Sequence, residues 1–372
     1  MKPIFLLFTL CSLFMNACTS DTAVLTMLVG TYTGGSSVGM YTFRFNTEDL
    51  TVQPLSHAVA DNPSYLTVSP DAKYVYAVSD SGDISTVKAF AFDKSTGTLQ
   101  LLNQRQVEKN PCYILYHVST RTVVTANYTA GSVSIIQVAA DGSLSDRQIT
   151  FQYEGSSVNL ARQAGSHLHC VIATPDNKAL FTTDLGTDRI HKIDISMPQN
   201  ENNDLASIFK KSASFALEPG SGPRHIVFNK KHTHAYVINE LSGMVSVLSI
   251  NADNNFTPKQ YIIADTLHAA GSADIHFSPD EKFLYASTRL QGDGVAIFSV
   301  NDDNSLTRIG FQPTGKHPRN FAITPDGKRM LVACRDSNVI QIFNINKKTG
   351  LLTDTGKTIL VDQPVCIRII KG

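Results

Sequence analysis

The chain has 372 residues, 42% of them hydrophobic, and its 32 Lys and Arg balance 32 Asp and Glu. With no net charge, no overall field draws in nucleic acid or an anionic membrane surface, so any binding has to come from local patches.

Near the start, Lys2 is followed by an apolar run over residues 4–15 and then small residues, the pattern of an export leader. The run is shorter than the ~20 residues a bilayer-spanning helix needs. Met15-Asn16-Ala17-Cys18 resembles a bacterial lipobox, in which cleavage precedes a Cys that takes a lipid. The expected organisation is a signal peptide over residues 1–17, an anchor and linker over 18–24, and one domain over 25–372. The protein is then exported and lipid-anchored at Cys18 in the cell envelope, touching membrane only through the anchor. If the leader is not used, it is cytoplasmic. Cys112, Cys170, Cys334 and Cys366 sit singly in apolar runs without metal-ligand spacing, and read as buried thiols.

From residue 63 onward one unit repeats about every 50 residues: an opening position, a short apolar strand, a turn seven residues later, then further strands. The openings are Pro63, Pro111, Leu168, Pro223, Ser272 and Pro318, and four of the turns carry Pro-Asp: Pro70-Asp71, Pro175-Asp176, Pro279-Asp280 and Pro325-Asp326. Pro sets φ and Asp bonds its own backbone two residues on, so each turn closes a hairpin. Residues 74–78 and 245–250 are rich in β-branched or aromatic residues, and no long 3.6-residue apolar period appears. Four-stranded units of this kind bury both faces only by stacking, which predicts a propeller. A seventh unit is split between the ends: residues 25–29, 40–45 and 50–58 supply three strands and 364–369 the innermost. The expected fold is all-β, a seven-bladed β-propeller whose ring is closed by the C-terminal strand. Residues 152–165 and 198–203 read as rim loops.

The residue after each opening position should form a ring at one mouth of the axial channel. The ring reads Ser64, Cys112, His169, Arg224, Ala273, Arg319 and Val365, flanked by His167, His225 and His317. Asp184, Glu240, Arg289 and Arg335, at the ends of the second strands, are expected to face it. Guanidinium, imidazole and carboxylate converging at one mouth suit an anionic, ester-like substrate, with Arg clamping an acid and polarising a carbonyl and His169 or Glu240 moving a proton. Gly292-Asp293-Gly294 reads as a turn, and His232 and His234 as solvent-exposed turn residues. No Gly-rich phosphate loop, Gly-x-Ser-x-Gly elbow or His-Glu-x-x-His occurs.

The strings Gly165-Ser166-His167-Leu168-His169, Thr183-Asp184-Leu185-Gly186-Thr187-Asp188-Arg189, Gly222-Pro223-Arg224-His225, Ile238-Asn239-Glu240-Leu241-Ser242 and Gly315-Lys316-His317-Pro318-Arg319-Asn320 resemble the seven-bladed lactonase family, which includes propeller-type 6-phosphogluconolactonases and 3-carboxy-cis,cis-muconate lactonizing enzyme. The resemblance implies lactone chemistry without metal or organic cofactor. Carried over, the catalytic set is His169, Glu240, Arg224 and Arg319, with His169 as acid and base, Glu240 its partner or an alternative base, and the arginines as anion and oxyanion binders. Substrate contacts fall on His167, His225, Asp184, Arg289, His317 and Asn320. The expected activity is hydrolysis of a sugar-acid lactone by a monomer acting on a small anionic lactone or dicarboxylate. The alternatives are cyclisation of an unsaturated dicarboxylate, or a non-catalytic propeller that binds a glycan or protein. Export stands against 6-phosphogluconolactone itself, which is made in the cytoplasm.

Overall fold

A computed structural model describes residues 23–82, 84–196 and 204–370. The expected leader, the lipidation at Cys18 and the rim loop over 198–203 lie outside the described residues. Among those described, the strands form seven four-stranded antiparallel sheets, each ordered from the channel outward in chain order. The seventh is the exception in sequence: Pro364–Ile370 lies innermost and pairs with Val24–Thr31, placing Leu28 opposite Arg368. The ring is closed by the two ends of the chain, which together complete the seventh blade to four strands.

Burial follows position in the blade. The second strand of the second blade, Thr122–Asn127, is buried throughout, because neighbouring blades cover both its faces. The outermost strand, Leu144–Gln152, alternates between more and less exposed residues, because one face meets water. The core is a set of layers between blades: Tyr76 and Val78 pack with Ile114, Val123 and Ile136 of the next blade, and Phe283 and Tyr285 with Phe321 and Phe343. Each such fully buried large side chain is worth about 1.5–3 kcal/mol. A repeated strut adds direction: the hydroxyls of Tyr76, Tyr236 and Tyr285 donate to the carbonyls of Gly142, Asn304 and Gly350 at 2.9, 2.8 and 2.9 Å, each reaching an outer turn of the following blade.

The Ser/Thr-Pro-Asp turns are built as their chemistry predicts. Ser69, Thr174, Ser278 and Thr324 donate to Asp71, Asp176, Asp280 and Asp326 at 2.6–2.7 Å. The residue after the Asp takes positive φ: 55° at Ala72, 57° at Asn177, 58° at Glu281 and 70° at Gly327. His232, expected to be exposed, is instead half-buried against Phe228, because Asn254 accepts its Nε2–H at 2.9 Å and holds the ring down. All these turns lie on one rim, which leaves the other rim to the loops that enter each blade and join its second and third strands.

Candidate active site

The innermost strands start at that second rim, and five of them start with a β-bulge. Pro223 pairs with Asn239 and His225 with Ile238, leaving Arg224 as the extra residue; His169, Arg319, Cys112 and Val365 are extra in the same way. A bulge leaves its extra residue out of the ladder and re-aims the side chain, which here is toward the axis. In the first and fifth blades the regular strands begin later, at Leu66 and Ile275, so Ser64 and Ala273 precede them.

The centre of the cluster is Glu240. Its Oε1 accepts from Arg162 Nη2 at 2.7 Å, and its Oε2 from Arg224 Nε at 2.9 Å and Arg289 Nη2 at 3.2 Å. Burial alone would raise its pKa, but Arg289, Arg224 and Arg162 outweigh burial and hold it at about 2. Glu240 is therefore a fixed anion at neutral pH, and no hydrogen bond links it to His169. The partnership expected between them is absent because guanidinium groups occupy both of its oxygens.

Arg224 is 2% exposed; its Nη1 donates to Ala273 O at 2.6 Å and to His225 Nε2 at 3.1 Å. These bonds and the one from Nε leave Nη2 without a partner among the described residues. Arg319 differs. Its guanidinium lies 5.4 Å from the ring centre of Tyr32, and among the described residues no carboxylate is within ion-pair reach. Arg335, 6.0 Å from the same ring, is neutralised by a two-pronged pair with Asp336 at 2.5 and 3.0 Å.

His169 is 4% exposed, and burial, followed by the charges of Arg224, His225 and Arg319, keeps its pKa well below the usual 6.5, so the ring is neutral at pH 7. Its Nδ1 lies 3.7 Å from Cys112 Sγ, a thiol that burial pushes up to about 12 and that is therefore protonated. Nε2 has no hydrogen-bond partner among the described residues. Tyr65 and Tyr113 stack at 3.9 Å and meet His225 edge-on, so an aromatic layer backs that ring.

The other expected contacts take different places. His167 stacks on Tyr128 at 4.5 Å with its Nδ1 3.0 Å from Tyr128 O, and Arg289 shares Glu240 while its Nη1 donates to His317 Nε2 at 2.9 Å. His225 and Asn320 are both buried and both bonded to Asp274. Asp184 is not in the cluster: it accepts from Ser166 Oγ, His167 N, Gly186 N and His191 Nε2 at 2.6–3.2 Å, bracing the entry to the third blade. The reason is register. Asp184 pairs with Leu168 as Asn239 pairs with Pro223, so it corresponds to Asn239, one place before Glu240, and a one-residue step reverses the face.

That same register brings to the mouth residues that the repeat alone does not single out. Tyr32 and Tyr128 follow Thr31 and Asn127, which pair with Pro364 and Pro111, so both stand where Glu240 stands in its blade. Arg162 comes from the 153–167 loop, where it is the only Arg or Lys, and reaches Glu240 two blades on from the strand before it.

Residues 26–369 match the family described as Lactonase, 7-bladed beta-propeller. A 6-phosphogluconolactonase of Formosa agariphila is 37% identical over 346 residues, covering 90% of this chain and 97% of that protein. A crystal structure from Bacteroides fragilis is 48% identical with a TM-score of 0.90, covering 95% of this chain and 99% of that one. A periplasmic gluconolactonase of Pseudomonas aeruginosa is 30% identical with a TM-score of 0.86, covering 93% of this chain and 99% of that one. A match across nearly the whole described length, blade for blade, leaves one assignment: the chain belongs to the seven-bladed β-propeller lactonase family.

Proposed function

We propose that the protein is a hydrolase that opens a sugar-acid lactone in the mouth built around Glu240. The observation that carries this is the combination of an acid-free guanidinium, Arg319, with a neutral, buried His169 beside an Arg224 locked by Glu240. Arg319 binds the substrate's carboxylate or phosphate. His169 Nε2 takes a proton from water as its oxygen attacks the lactone carbonyl, and Arg224 Nη2 meets the developing oxyanion. Collapse breaks the bond between the carbonyl carbon and the ring oxygen; that oxygen takes the proton back from His169 and leaves as the hydroxyl of the open acid. The scheme calls for no metal or organic cofactor, because guanidinium groups supply the positive charge.

The named activities of the Formosa and Pseudomonas relatives support a lactone substrate. The periplasmic setting of the latter, with the leader-like residues 1–17, supports export and a lactone available outside the cytoplasm. The test is a pH-stat assay of the chain from residue 19 with gluconolactone, galactonolactone and 6-phosphogluconolactone. Acid release above the spontaneous rate, lost in Arg224→Ala, is expected; no release from any of the three overturns the reading.

A further inference from the structure

Asp274 sits wholly buried beneath the arginines, on the channel side of the fifth blade, and makes five hydrogen bonds. Its Oδ1 accepts from His225 Nδ1 at 2.8 Å and Ile275 N at 3.0 Å, and its Oδ2 from Asn320 Nδ2 at 2.5 Å, His276 Nε2 at 3.0 Å and Phe321 N at 3.1 Å. The other nitrogen of His225, Nε2, faces Arg224 Nη1 at 3.1 Å. A guanidinium only donates, so Nε2 has to be the unprotonated nitrogen and the ring proton has to sit on Nδ1, where Asp274 receives it. Tyr65, Tyr113 and His169 pack edge-on against the ring at 5.4–5.9 Å and stop it turning over. Burial, and then the charge of Arg224, lower the pKa of His225 to about 4, in keeping with a neutral ring.

We propose that Asp274 is a positioning residue for Arg224, acting through His225 by dictating which ring nitrogen carries the proton. Arg224 is then held on both edges: Glu240 fixes Nε, and the neutral Nδ1–H form of His225, with Ala273 O, fixes Nη1. Nη2 is left without a hydrogen-bond partner among the described residues. Charge alone would not do this, since a carboxylate placed anywhere nearby attracts Arg224, whereas the hydrogen-bond chain specifies a direction. The kinetic consequence rests on the hydrolase reading; the tautomer does not.

The replacement Asp274→Asn makes the idea sharp. At the Oδ2 position an amide must still present oxygen, because Asn320 Nδ2 and Phe321 N both donate there. Asn320 is itself pinned, its Oδ1 accepting from Ile367 N at 2.7 Å. The new NH2 therefore lies at the Oδ1 position, where it gives up the one backbone bond from Ile275 N instead of the two fixed donors at Oδ2, and donates to His225 Nδ1. The ring proton moves to Nε2 and points at the N–H of Arg224, two donors face to face. The expected result is a kcat lower by roughly 100-fold with KM changed less than about 3-fold, the scale for a misplaced oxyanion donor.

The experiment combines two measurements on the chain from residue 19. Nitrogen-15 NMR of histidine-labelled protein reads the His225 tautomer, expected Nδ1–H in the wild type and Nε2–H in Asp274→Asn. Kinetics of Asp274→Asn, His225→Phe and the double variant form a cycle: with His225 gone, the Asn should add nothing. An unchanged tautomer, or an equal kcat loss from Asp274→Asn in both backgrounds, overturns the proposal and makes Asp274 a purely structural residue. If Asp274→Asn does not fold, His225→Phe leaves the other four bonds to Asp274 in place and decides alone, an unaltered kcat being the refuting result. Should the wild type hydrolyse no lactone, the hydrolase reading falls while the NMR arm still judges this one.

Discussion

Replacing Glu240 by Gln removes one charge from a cluster that depends on it. The carboxylate binds Arg162 on one oxygen and Arg224 with Arg289 on the other, whereas an amide accepts on one side only and turns N–H toward a guanidinium on the other. The drop in pKa from 4.5 to about 2 corresponds to about 3 kcal/mol, at ~1.4 kcal/mol per unit. Breaking a buried pair from one side costs about 3–5 kcal/mol, because the remaining charges stay desolvated. At roughly 2 cal/mol/K per residue of unfolding entropy, that is a fall in Tm of about 4–7 °C at pH 7. The sign with pH follows from the folded pKa lying below the unfolded one. The stabilisation is complete above about pH 4.5 and is lost as the pH falls through about 2, so wild type loses this increment on acidification and Glu240→Gln has none to lose. Differential scanning calorimetry of both proteins from pH 7 down to pH 3 measures it. A Tm within about 1 °C of wild type at pH 7, or parallel acid curves, would refute the idea that Glu240 is the counter-ion that keeps the cluster assembled.

Arg319→Ala should behave in the opposite way, because no carboxylate depends on it: Tm is unchanged, while KM for a carboxylate- or phosphate-bearing lactone rises roughly 10- to 100-fold and KM for neutral gluconolactone moves far less. Equal effects on charged and neutral lactones would show that Arg319 does not bind the anion. His169→Asn should lower kcat by about 100- to 10,000-fold with the fold intact. Since burial and the adjacent guanidinium charges keep the pKa of His169 well below 6.5, and a base works only when unprotonated, the acid limb of wild-type kcat/KM should lie below pH 6.5 with a plateau through pH 7. A limb centred at or above pH 6.5 would assign the titration to another group.

The repeat was legible because its signals are local. Pro70-Asp71 and its counterparts set their turns through bonds spanning two residues, and alternating or continuous apolar runs report how many faces of a strand are covered. Counting from those turns also placed His169, Arg224 and Arg319 at one mouth, since every blade uses the same offset. The offset was one residue too coarse for Asp184: the bulge before it, and therefore the register, exists only once two strands pair, and with a period of two a single step reverses the face.

Local chemistry along the chain sets the unit: strand, turn, strand, repeated until the two ends complete each other in one blade, with His and Arg at a fixed offset in the third, fourth and sixth blades. Which groups are charged, paired or free depends on contacts between blades. Arg162 meets Glu240 across 78 positions of chain and Asp274 meets His225 across 49. No local pattern encodes those distances, because they arise from blades closing into a ring. The same closure buries these groups, which keeps Glu240 ionised among its arginines and His169 neutral, and leaves Arg319 against Tyr32 with no carboxylate partner among the described residues.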